Sequence, residues 1–422
     1  MTRDPHTGIS FLLALAIPAA MLTAGCGGEP PSDRPAVARD TLPDGTVVVR
    51  YPALPLGEPI EIVADLRMGS VDGDPYLSFA DVRGIDVGSD GTIYVLDYQL
   101  SELRAFDPDG NYRRTVVTEG EGPGEISEAN GFILAGDSIL WIQDHGKWSM
   151  IGVTTEGEEV GRYQMPVRSY GYMWRGTIDD AGRLWRPVAH AEEERRQLPP
   201  QDGLNEGMFR EYLKWFDPGT DEADSVFLGR RLARGYVVSY NEGYSSYGIP
   251  FLAEYVAAVD RAGEEHWQAS NAAYRIAHVD IRGDTLLVIE ADVAPIPVTA
   301  ADRSDYVERM AGDDPDRREA AEEVSTLIPN RKPVIDGLVV DDAGRLWVDR
   351  VVPLGEHPLY DVFEPDGDYL GSVRLGFEPH AYLPIRIRDG KIYALVRDEL
   401  DIPFVVRADV PPFLQETEMA GG

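Results

Sequence analysis

The stretch GIDVGSDGTIYVLDYQLSELRAFDPDGNYRRTVV, residues 84–117, decides the fold class of this chain. It divides into IDV and TIYVLD joined by a Ser-Asp-Gly turn, an alternating ELRAFD that ends in DPDG, and a final NYRRTVV. Short apolar runs separated by turn residues, with glycine where a left-handed conformation is needed, are typical of β-hairpins. Four strands joined by hairpins within about 40–50 residues predict one blade of a β-propeller.

Five further stretches of the chain repeat this plan. They cover residues 132–165, 176–228, 255–292, 337–375 and 384–410. The last copy lacks a fourth strand, and IEIVADLRMG at residues 60–69 has the pattern of a fourth strand without a blade. We therefore predict an all-β fold over residues 47–410: a six-bladed β-propeller in which an N-terminal strand closes the last blade.

The repeat also resembles a known family. Residues 85–126, with the turn DPDG and the exit loop EGEGPGEI, resemble an NHL-type repeat of the TolB-like six-bladed propellers. The other copies match more loosely, through their DDAGRLW and EPDG elements. Residues 47–410 as a whole resemble bacterial six-bladed propeller lipoproteins. The resemblance implies the fold, whereas a fold alone does not assign an activity.

The N-terminus predicts export. Residues 11–25, FLLALAIPAAMLTAG, form an apolar stretch shorter than the roughly 20 residues of a membrane-spanning helix. Its polar leader and small C-terminal residues make residues 1–25 typical of a secretory signal peptide. LTAGC at residues 22–26 resembles the bacterial lipobox, which implies lipidation of Cys26. The alternative is a plain signal peptide followed by an unrelated cysteine, although Cys26 is the only cysteine in the chain and has no disulfide partner.

Composition predicts where the mature protein lies and what it binds. Residues 26–46 are rich in Gly, Pro and charge and predict a lipidated flexible tether. By resemblance to lipoprotein sorting in enteric bacteria, Gly27 implies the outer membrane. The formal net charge of −34 argues against nucleic-acid binding and against docking on anionic lipid head groups. We expect a cell-envelope protein that contacts the membrane through its lipid anchor alone and binds a protein, peptide or glycan.

Three stretches lie outside the predicted blades. Residues 191–211 predict a polar loop with one helical turn inside the third copy. Residues 299–326 predict a helical hairpin, because Thr299 and Asp302 form an approximate capping box and Pro315 starts a second helix. This hairpin either covers apolar surface or forms a lid over the central channel. Residues 411–422 are a predicted C-terminal tail.

The first candidate site is the mouth of the central channel, where the innermost strand of each blade begins. Alignment of the six copies places one residue of each near that point: Arg83, Asn130, Arg175, Glu254, Asp336 and a position near Leu383. A mixed ring of Arg, Asn, Glu and Asp suits a polar or zwitterionic ligand. The alternative is that these groups satisfy one another's hydrogen bonds and hold channel water.

Aromatic residues between the copies form a second candidate site. RSYGYMWRG contains Tyr170, Tyr172 and Trp174, and GYVVSYNEGYSSYG contains Tyr236, Tyr240, Tyr244 and Tyr247. Exposed Tyr and Trp side chains on loops offer a rigid contact area with a polar tip, which suits sugars and peptides. The alternative is that these loops pack their own aromatic residues in order to stay ordered.

Sequence patterns of metal sites and nucleophiles are weak. DPDG at residues 107–110 and EPDG at residues 364–367 lack the ligand spacing of a calcium loop and predict hairpin turns. The histidines do not form an HExxH pair, and GYSSYG does not have the GxSxG spacing. We therefore assign no catalytic residue, no metal ligand and no cofactor. Asp97 and Asp144, which follow the second strands of two copies, are predicted to tie blade turns together.

Three functions follow from these predictions. The sequence favours a membrane-tethered extracytoplasmic binding or scaffolding module. The alternative is a metal-dependent enzyme, because NHL-type propellers include lactonases and lyases that place His, Glu or Asp at inner-strand starts around a divalent metal. Arg83 and Arg175 occupy two of those positions here, which disfavours the enzyme. A third interpretation is a structural envelope component without a ligand.

Overall fold

The computed structural model describes residues 37–414 except 72, 165–175, 193–200, 218–219, 221, 241–242 and 313. The predictions made for Cys26, Tyr170, Tyr172, Trp174 and Arg175 lie outside the described residues. Within the described part, the strands form six separate sheets, and a pair of helices interrupts them. The chain is thus mostly β and its fold is propeller-like, as the four-strand repeat predicts.

Four strands precede the first complete repeat. They are β1 (Ala38–Thr41), β2 (Val47–Tyr51), β3 (Ile60–Ile62) and β4 (Ala64–Met68). Each of them joins a sheet whose other strands come from much later in the chain. We number these sheets I to VI in the order in which the repeats occur.

Sheets I and II each consist of four consecutive antiparallel strands. Sheet I contains β5 (Val82–Val87), β6 (Ile93–Asp97), β7 (Glu102–Phe106) and β8 (Tyr112–Val117). Sheet II contains β9 (Ala129–Ala135), β10 (Ile139–Asp144), β11 (Ser149–Thr154) and β12 (Glu159–Gln164). The DPDG element closes the β7–β8 hairpin, because the Asp107 carboxylate accepts a hydrogen bond from the backbone N–H of Asn111 at 2.8 Å. The predicted hairpin turn is confirmed.

Sheet III differs most from its prediction. Its strands are β13 (Thr177–Ile178), β14 (Leu184–Ala191), β15 (Gly203–Asp217), β16 (Glu222–Tyr240) and β17 (Gly243–Gly248). Residues 203–211 therefore lie in a strand, and the prediction of a polar loop there is wrong. Their side chains alternate between exposed and partly buried, which is the period of a strand. Their polarity, which is also typical of a loop, is the reason for the wrong prediction.

Sheets IV to VI follow the repeat closely. Sheet IV contains β18 (Tyr255–Val259), β19 (Glu265–Ser270), β20 (Arg275–Asp280) and β21 (Thr285–Ala291). The helices α1 (Ala300–Ala311) and α2 (Pro315–Leu327) come next. Sheet V contains β22 (Ile335–Val340), β23 (Leu346–Arg350), β24 (Leu359–Phe363) and β25 (Tyr369–Leu375), and sheet VI contains β26 (Arg386–Arg388), β27 (Lys391–Arg397) and β28 (Pro403–Asp409).

The N-terminal strands complete the last three sheets. Strand β4 pairs antiparallel with β28, so sheet VI receives its fourth strand from the N-terminal end of the propeller, as predicted. Strand β3 instead pairs in parallel with β25, so residues 60–69 serve two sheets rather than one. Strands β1 and β2 extend sheet IV beside β21. A strand therefore occupies residues 38–41, which the sequence analysis had placed in the tether.

The predicted helical hairpin is present. Thr299 and Asp302 form the capping box of α1, and Pro315 is at the start of α2. Tyr306, Ala321 and Val324 lie in one buried cluster with Ile249, against which Tyr236 packs. The helices therefore cover apolar surface on the part of sheet III that extends beyond β14. No helix of the described residues is long and apolar enough to cross a membrane.

A buried aromatic residue lies in the second strand of every sheet, within three residues of the strand's first pair with the first strand. These residues are Tyr94, Trp141, Trp185, Trp267, Trp347 and Tyr393. All of them are less than a tenth exposed. Each packs in one cluster with a residue of the following sheet; in order, these neighbours are Leu134, Leu184, Val259, Leu338, Ile387 and Val82. Because Tyr393 of sheet VI packs with Val82 of sheet I, the series of interfaces returns to its start.

Candidate functional site

The loops that lead into the inner strands are fixed by buried carboxylates. Asp97 accepts hydrogen bonds from the backbone N–H groups of Ala80 at 2.7 Å and of Asp81 at 3.3 Å. Asp144 accepts bonds from the backbone N–H of Ser127 at 2.8 Å and from its hydroxyl at 3.1 Å. Both carboxylates are about 1% exposed or less. The prediction that they tie blade turns together is confirmed, and they hold the starts of β5 and β9 in place.

Arg83 lies at the centre of a polar group formed by sheets I and II. Its guanidinium donates to Asp81 at 2.7 Å and to the side-chain oxygen of Asn130 at 2.6 Å. The same guanidinium lies over the ring of Tyr98, 3.7 Å from its centroid. The structure thus brings Arg83 and Asn130 together, as the alignment of the copies predicts. Their mutual hydrogen bond agrees with the alternative interpretation, in which the residues at the inner-strand starts satisfy one another's hydrogen bonds.

Sheet VI adds further charged groups beside Arg83. The Arg397 guanidinium lies 3.8 Å from the Asp81 carboxylate and 3.1 Å from Asp401. His380 is half-buried near these groups, and burial, together with the positive charge of Arg397, lowers its pKa. The positive charges of Arg83 and Arg397 are therefore balanced by Asp81 and Asp401.

A recess opens beside this polar group, between sheets VI, I and II. It is shallow, because the space that it encloses is only about 10 Å³, and residues lining it include Arg83, Gly131, Leu383 and Arg386. The Arg386 guanidinium donates to the backbone oxygen of Ile85 at 3.4 Å. Among the described residues it has no carboxylate partner. Leu383, Arg83 and Gly131, the residue after Asn130, are thus neighbours in space, as the alignment of the copies predicts for this part of the chain.

In sheet V, carboxyl groups lie where the inner strand starts. Asp336 is the second residue of β22, and Asp349 lies on the neighbouring β23. Burial, followed by the charge of Asp336, raises the pKa of Asp349 well above its usual range, although a hydrogen bond from Tyr360 opposes the shift. Burial also raises the pKa of Glu378, and Asp336 adds to that effect. The sequence analysis found Asp336 and missed Asp349 and Glu378, because these come from a second strand and a loop.

The remaining predicted residues contribute differently. Glu254 precedes β18, and its backbone N–H donates to the Asn271 side-chain oxygen at 2.9 Å, so Asn271 is the acceptor here as Asp97 and Asp144 are for their loops. Tyr240 and Tyr244 lie in β16 and β17, so placing them in a loop between copies was wrong. Tyr244 is 54% exposed, whereas Tyr236 and Tyr247 pack against the helices. These tyrosines lie on the extension of sheet III.

On the opposite face of the sheets, the turns that join the first and second strands contact one another. Arg388 of sheet VI pairs with Asp137 of sheet II at 2.8 Å, and Asp137 also accepts from the backbone of Ser89 in sheet I. Arg261 of sheet IV pairs with Asp180 of sheet III at 3.2 Å. These ion pairs link sheets across their turns.

Comparison with known proteins finds solved structures of similar fold and assigns no function. No protein-family model matches the chain, and no curated protein matches it. It is similar to a putative exported protein from Bacteroides fragilis NCTC 9343, with a TM-score of 0.43 and 11% identity over 84% of this chain and 99% of that one.

Two further solved structures are similar at the same level. A member of the DUF4221 family from Bacteroides vulgatus ATCC 8482 has a TM-score of 0.49 and 11% identity, over 83% of this chain and 98% of that one. Virginiamycin B lyase from Staphylococcus aureus has a TM-score of 0.38 and 11% identity, over 78% and 95%. At these scores the likenesses carry no argument about activity, and the fold assignment depends on the sheets described above.

Proposed function

We propose that this chain is an exported, lipid-anchored, six-bladed β-propeller that binds a ligand at the face where its inner strands start. Support for the blade number comes from the six buried aromatic residues, since each packs against the following sheet and the sixth sheet packs against the first. In a closed ring of this kind the inner strands run side by side, so their starting residues meet at one mouth.

The observation that carries the binding proposal is the part-buried Arg386 guanidinium beside the shallow recess. Residues from three sheets converge on it, and the Arg386 guanidinium is only part-buried and has no carboxylate partner among the described residues. A guanidinium with spare donors is the group that proteins use most often to bind a carboxylate through two hydrogen bonds. Asp336 on sheet V supplies the opposite charge, whereas burial raises the pKa of Asp349 and Glu378 and so favours their neutral forms. A zwitterionic ligand, such as the end of a peptide, matches both sides.

The test uses short peptides with defined ends. We expect a library of unblocked tripeptides to bind the mature chain and the same library amidated at its C terminus to bind about tenfold more weakly, because amidation removes the carboxylate. Arg386→Met should lower the affinity for unblocked peptides to that of the amidated ones. Arg282→Met, which removes an exposed arginine of sheet IV, is the matched control and should bind like the wild type.

Two results would contradict the binding proposal. One is the absence of peptide binding by calorimetry, and the other is an Arg386→Met variant that binds as tightly as the wild type. Anchoring is tested separately by fractionating cells that express Cys26→Ser. That variant should leave the membrane fraction, and retention there after export would overturn the anchor.

The enzyme alternative implies a divalent metal at the inner-strand starts. Arg83 stands at one of those positions and its guanidinium repels a cation. Among the residues that the structure describes, no three His, Cys, Asp or Glu side chains are placed to hold a metal ion. The described residues at the mouth do not fit this metal, so we derive no reaction through one. Metal analysis of the purified protein tests the alternative, since stoichiometric calcium or zinc would favour the enzyme.

A further inference from the structure

The first turns of sheets III and V contain the same three side chains, an aspartate, an arginine and a tryptophan, in the same hydrogen-bonded arrangement. In sheet III, the Asp179 carboxylate accepts from the Arg183 Nε at 2.7 Å and from the Trp185 Nε1 at 2.7 Å. In sheet V, the Asp341 carboxylate accepts from the Nε of Arg345 at 2.8 Å and from the Nε1 of Trp347 at 2.9 Å. In both sheets this triad lies at the interface with the next sheet, on the face opposite the inner-strand starts.

Sheet I has the same turn with different side chains. The backbone N–H of Gly88 donates to the carbonyl of Thr92 at 2.9 Å, as the N–H of Asp179 does to the carbonyl of Arg183 at 3.1 Å. In this alignment Gly88 replaces the aspartate, Thr92 the arginine and Tyr94 the tryptophan. The space that the triad fills elsewhere is open here. It forms a groove of about 360 Å³ lined by these three residues and by residues of β8 and sheet II.

Tyr94 supplies an unused polar group to this groove. Its side chain is 5% exposed, and its hydroxyl makes no hydrogen bond to any described residue. The charged groups that act on the hydroxyl are Asp90, Arg113, Arg114 and Glu156, all of which line the groove. Burial raises the pKa of the Tyr94 hydroxyl, so it stays protonated and able to donate. The hydroxyl is not closed off from the groove, so it is available to hydrogen-bond a ligand or water there.

The charges around the groove balance one another. Arg114 donates to Glu156 at 2.8 Å, and Arg113 lies 3.9 Å from Asp90. Asp137 is paired with Arg388. A ligand with a net charge gains little from such a site. A neutral ligand with many hydroxyl groups gains more, because each hydroxyl accepts from a guanidinium or from Tyr94 and donates to a carboxylate.

We propose that this groove, on the face opposite the inner-strand starts, binds a neutral saccharide of one or two sugar units. Its volume lies within the roughly 300–1,000 Å³ of small-molecule sites. The site is separate from the recess at Arg386, since it lies between the outer strands of sheets I and II. The proposal needs no assumption about the peptide ligand of the other face.

The test measures saccharide binding to the mature chain. The probes are glucose, galactose, mannose and N-acetylglucosamine and their disaccharides, with glucuronate and a triglutamate peptide as charged comparisons, all measured by ligand-observed NMR and calorimetry. Tyr94→Phe should weaken saccharide binding about fivefold to tenfold, the loss expected for one buried hydrogen bond. Its urea unfolding midpoint should not change, because the hydroxyl has no protein partner.

A second variant fills the groove with the side chains of sheets III and V. Gly88→Asp combined with Thr92→Arg should abolish saccharide binding by placing a carboxylate and a guanidinium in the open space. A Cβ at Gly88 would lie 3.0 Å from the Asp90 Oδ1, which belongs to an exposed side chain that is able to shift. Tyr76→Phe, at an exposed tyrosine outside the groove, is the control and should bind like the wild type.

Three results would overturn this proposal. The first is that no saccharide of the panel binds more tightly than about 10 mM. The second is that only glucuronate or triglutamate binds, which would make the groove an anion site. The third is that Tyr94→Phe retains wild-type affinity; this variant decides the proposal even if the filled variant does not fold.

Discussion

The first turns of sheets V and I have the same backbone hydrogen bonds, but side chains close the interface in sheet V and leave it open in sheet I. In sheet V, Asp341, Arg345 and Trp347 are 1%, 7% and 0% exposed and form a closed, hydrogen-bonded triad. In sheet I, Gly88, Thr92 and Tyr94 take their places and leave a groove. Sheet III is intermediate, because Arg183 is partly exposed and also donates to the Gly263 carbonyl of sheet IV. A repeat thus preserves the turn, while three side chains decide whether an interface between sheets is closed or open.

The largest effect is expected where the triad is most buried. Asp341→Ala leaves the Arg345 guanidinium and the Trp347 N–H without their acceptor, in a position almost closed to water. Loss of one partner of a buried ion pair destabilises a protein by about 3–5 kcal/mol. Urea unfolding should show this loss, and Asp341→Asn, which keeps an oxygen acceptor, should lose less. Equal losses in the two variants would show that the charge rather than the acceptor matters.

Asp179→Ala in sheet III should have a smaller effect. Arg183 retains its hydrogen bonds to the Ala262 and Gly263 carbonyls and is partly exposed to water. We expect a loss of about 2 kcal/mol, the contribution of a hydrogen bond to a charged group. The same urea titration measures it. A loss as large as that of Asp341→Ala would contradict the view that exposure separates the two triads.

The smallest effect is expected in the turn of sheet I, and it should depend on pH. Hydrogen bonds from the backbone N–H and the hydroxyl of Thr92 lower the pKa of Asp90. A carboxyl group with a lowered folded-state pKa stabilises the protein above its unfolded pKa, and this contribution is lost as the pH falls through the folded-state value. Asp90 is mostly exposed, so Asp90→Ala should cost less than about 1 kcal/mol at pH 7.

This difference between the wild type and Asp90→Ala should shrink between about pH 4 and pH 3, because the carboxylate becomes protonated in both the folded and the unfolded chain. Urea unfolding at a series of pH values measures it. A difference that stays constant, or that grows in acid, would exclude the carboxylate as its source.

Much of the architecture was predictable because the repeat is local. Apolar runs of four to six residues and turns such as DPDG depend on neighbours in sequence, so the strands of sheets I, II, IV and V follow from them. The tying role of Asp97 and Asp144 was predictable for the same reason. Residues 203–211 were misassigned, because their alternation has a polar side that faces solvent on a sheet extension, and polarity alone also describes a loop.

The candidate site was predictable only in part. Alignment of the copies places Arg83 beside Asn130, because both are the second residue of an inner strand. Asp349 and Glu378 could not be found in this way, since they reach the mouth from a second strand and from a loop. The six buried aromatic residues were visible in IYVLD, LWIQD and LWVD, and an alignment of second strands would have found them.

The sequence by itself determined the four-strand repeat, the turns that close its hairpins and the second residues of the inner strands, because these depend on spacing along the chain. Only the tertiary structure decided that β3 joins sheet V and which interface stays open. It also decided which charges lack a partner at the recess beside Arg386. These outcomes depend on contacts between residues that are 48 to 301 positions apart, and no local pattern encodes such contacts.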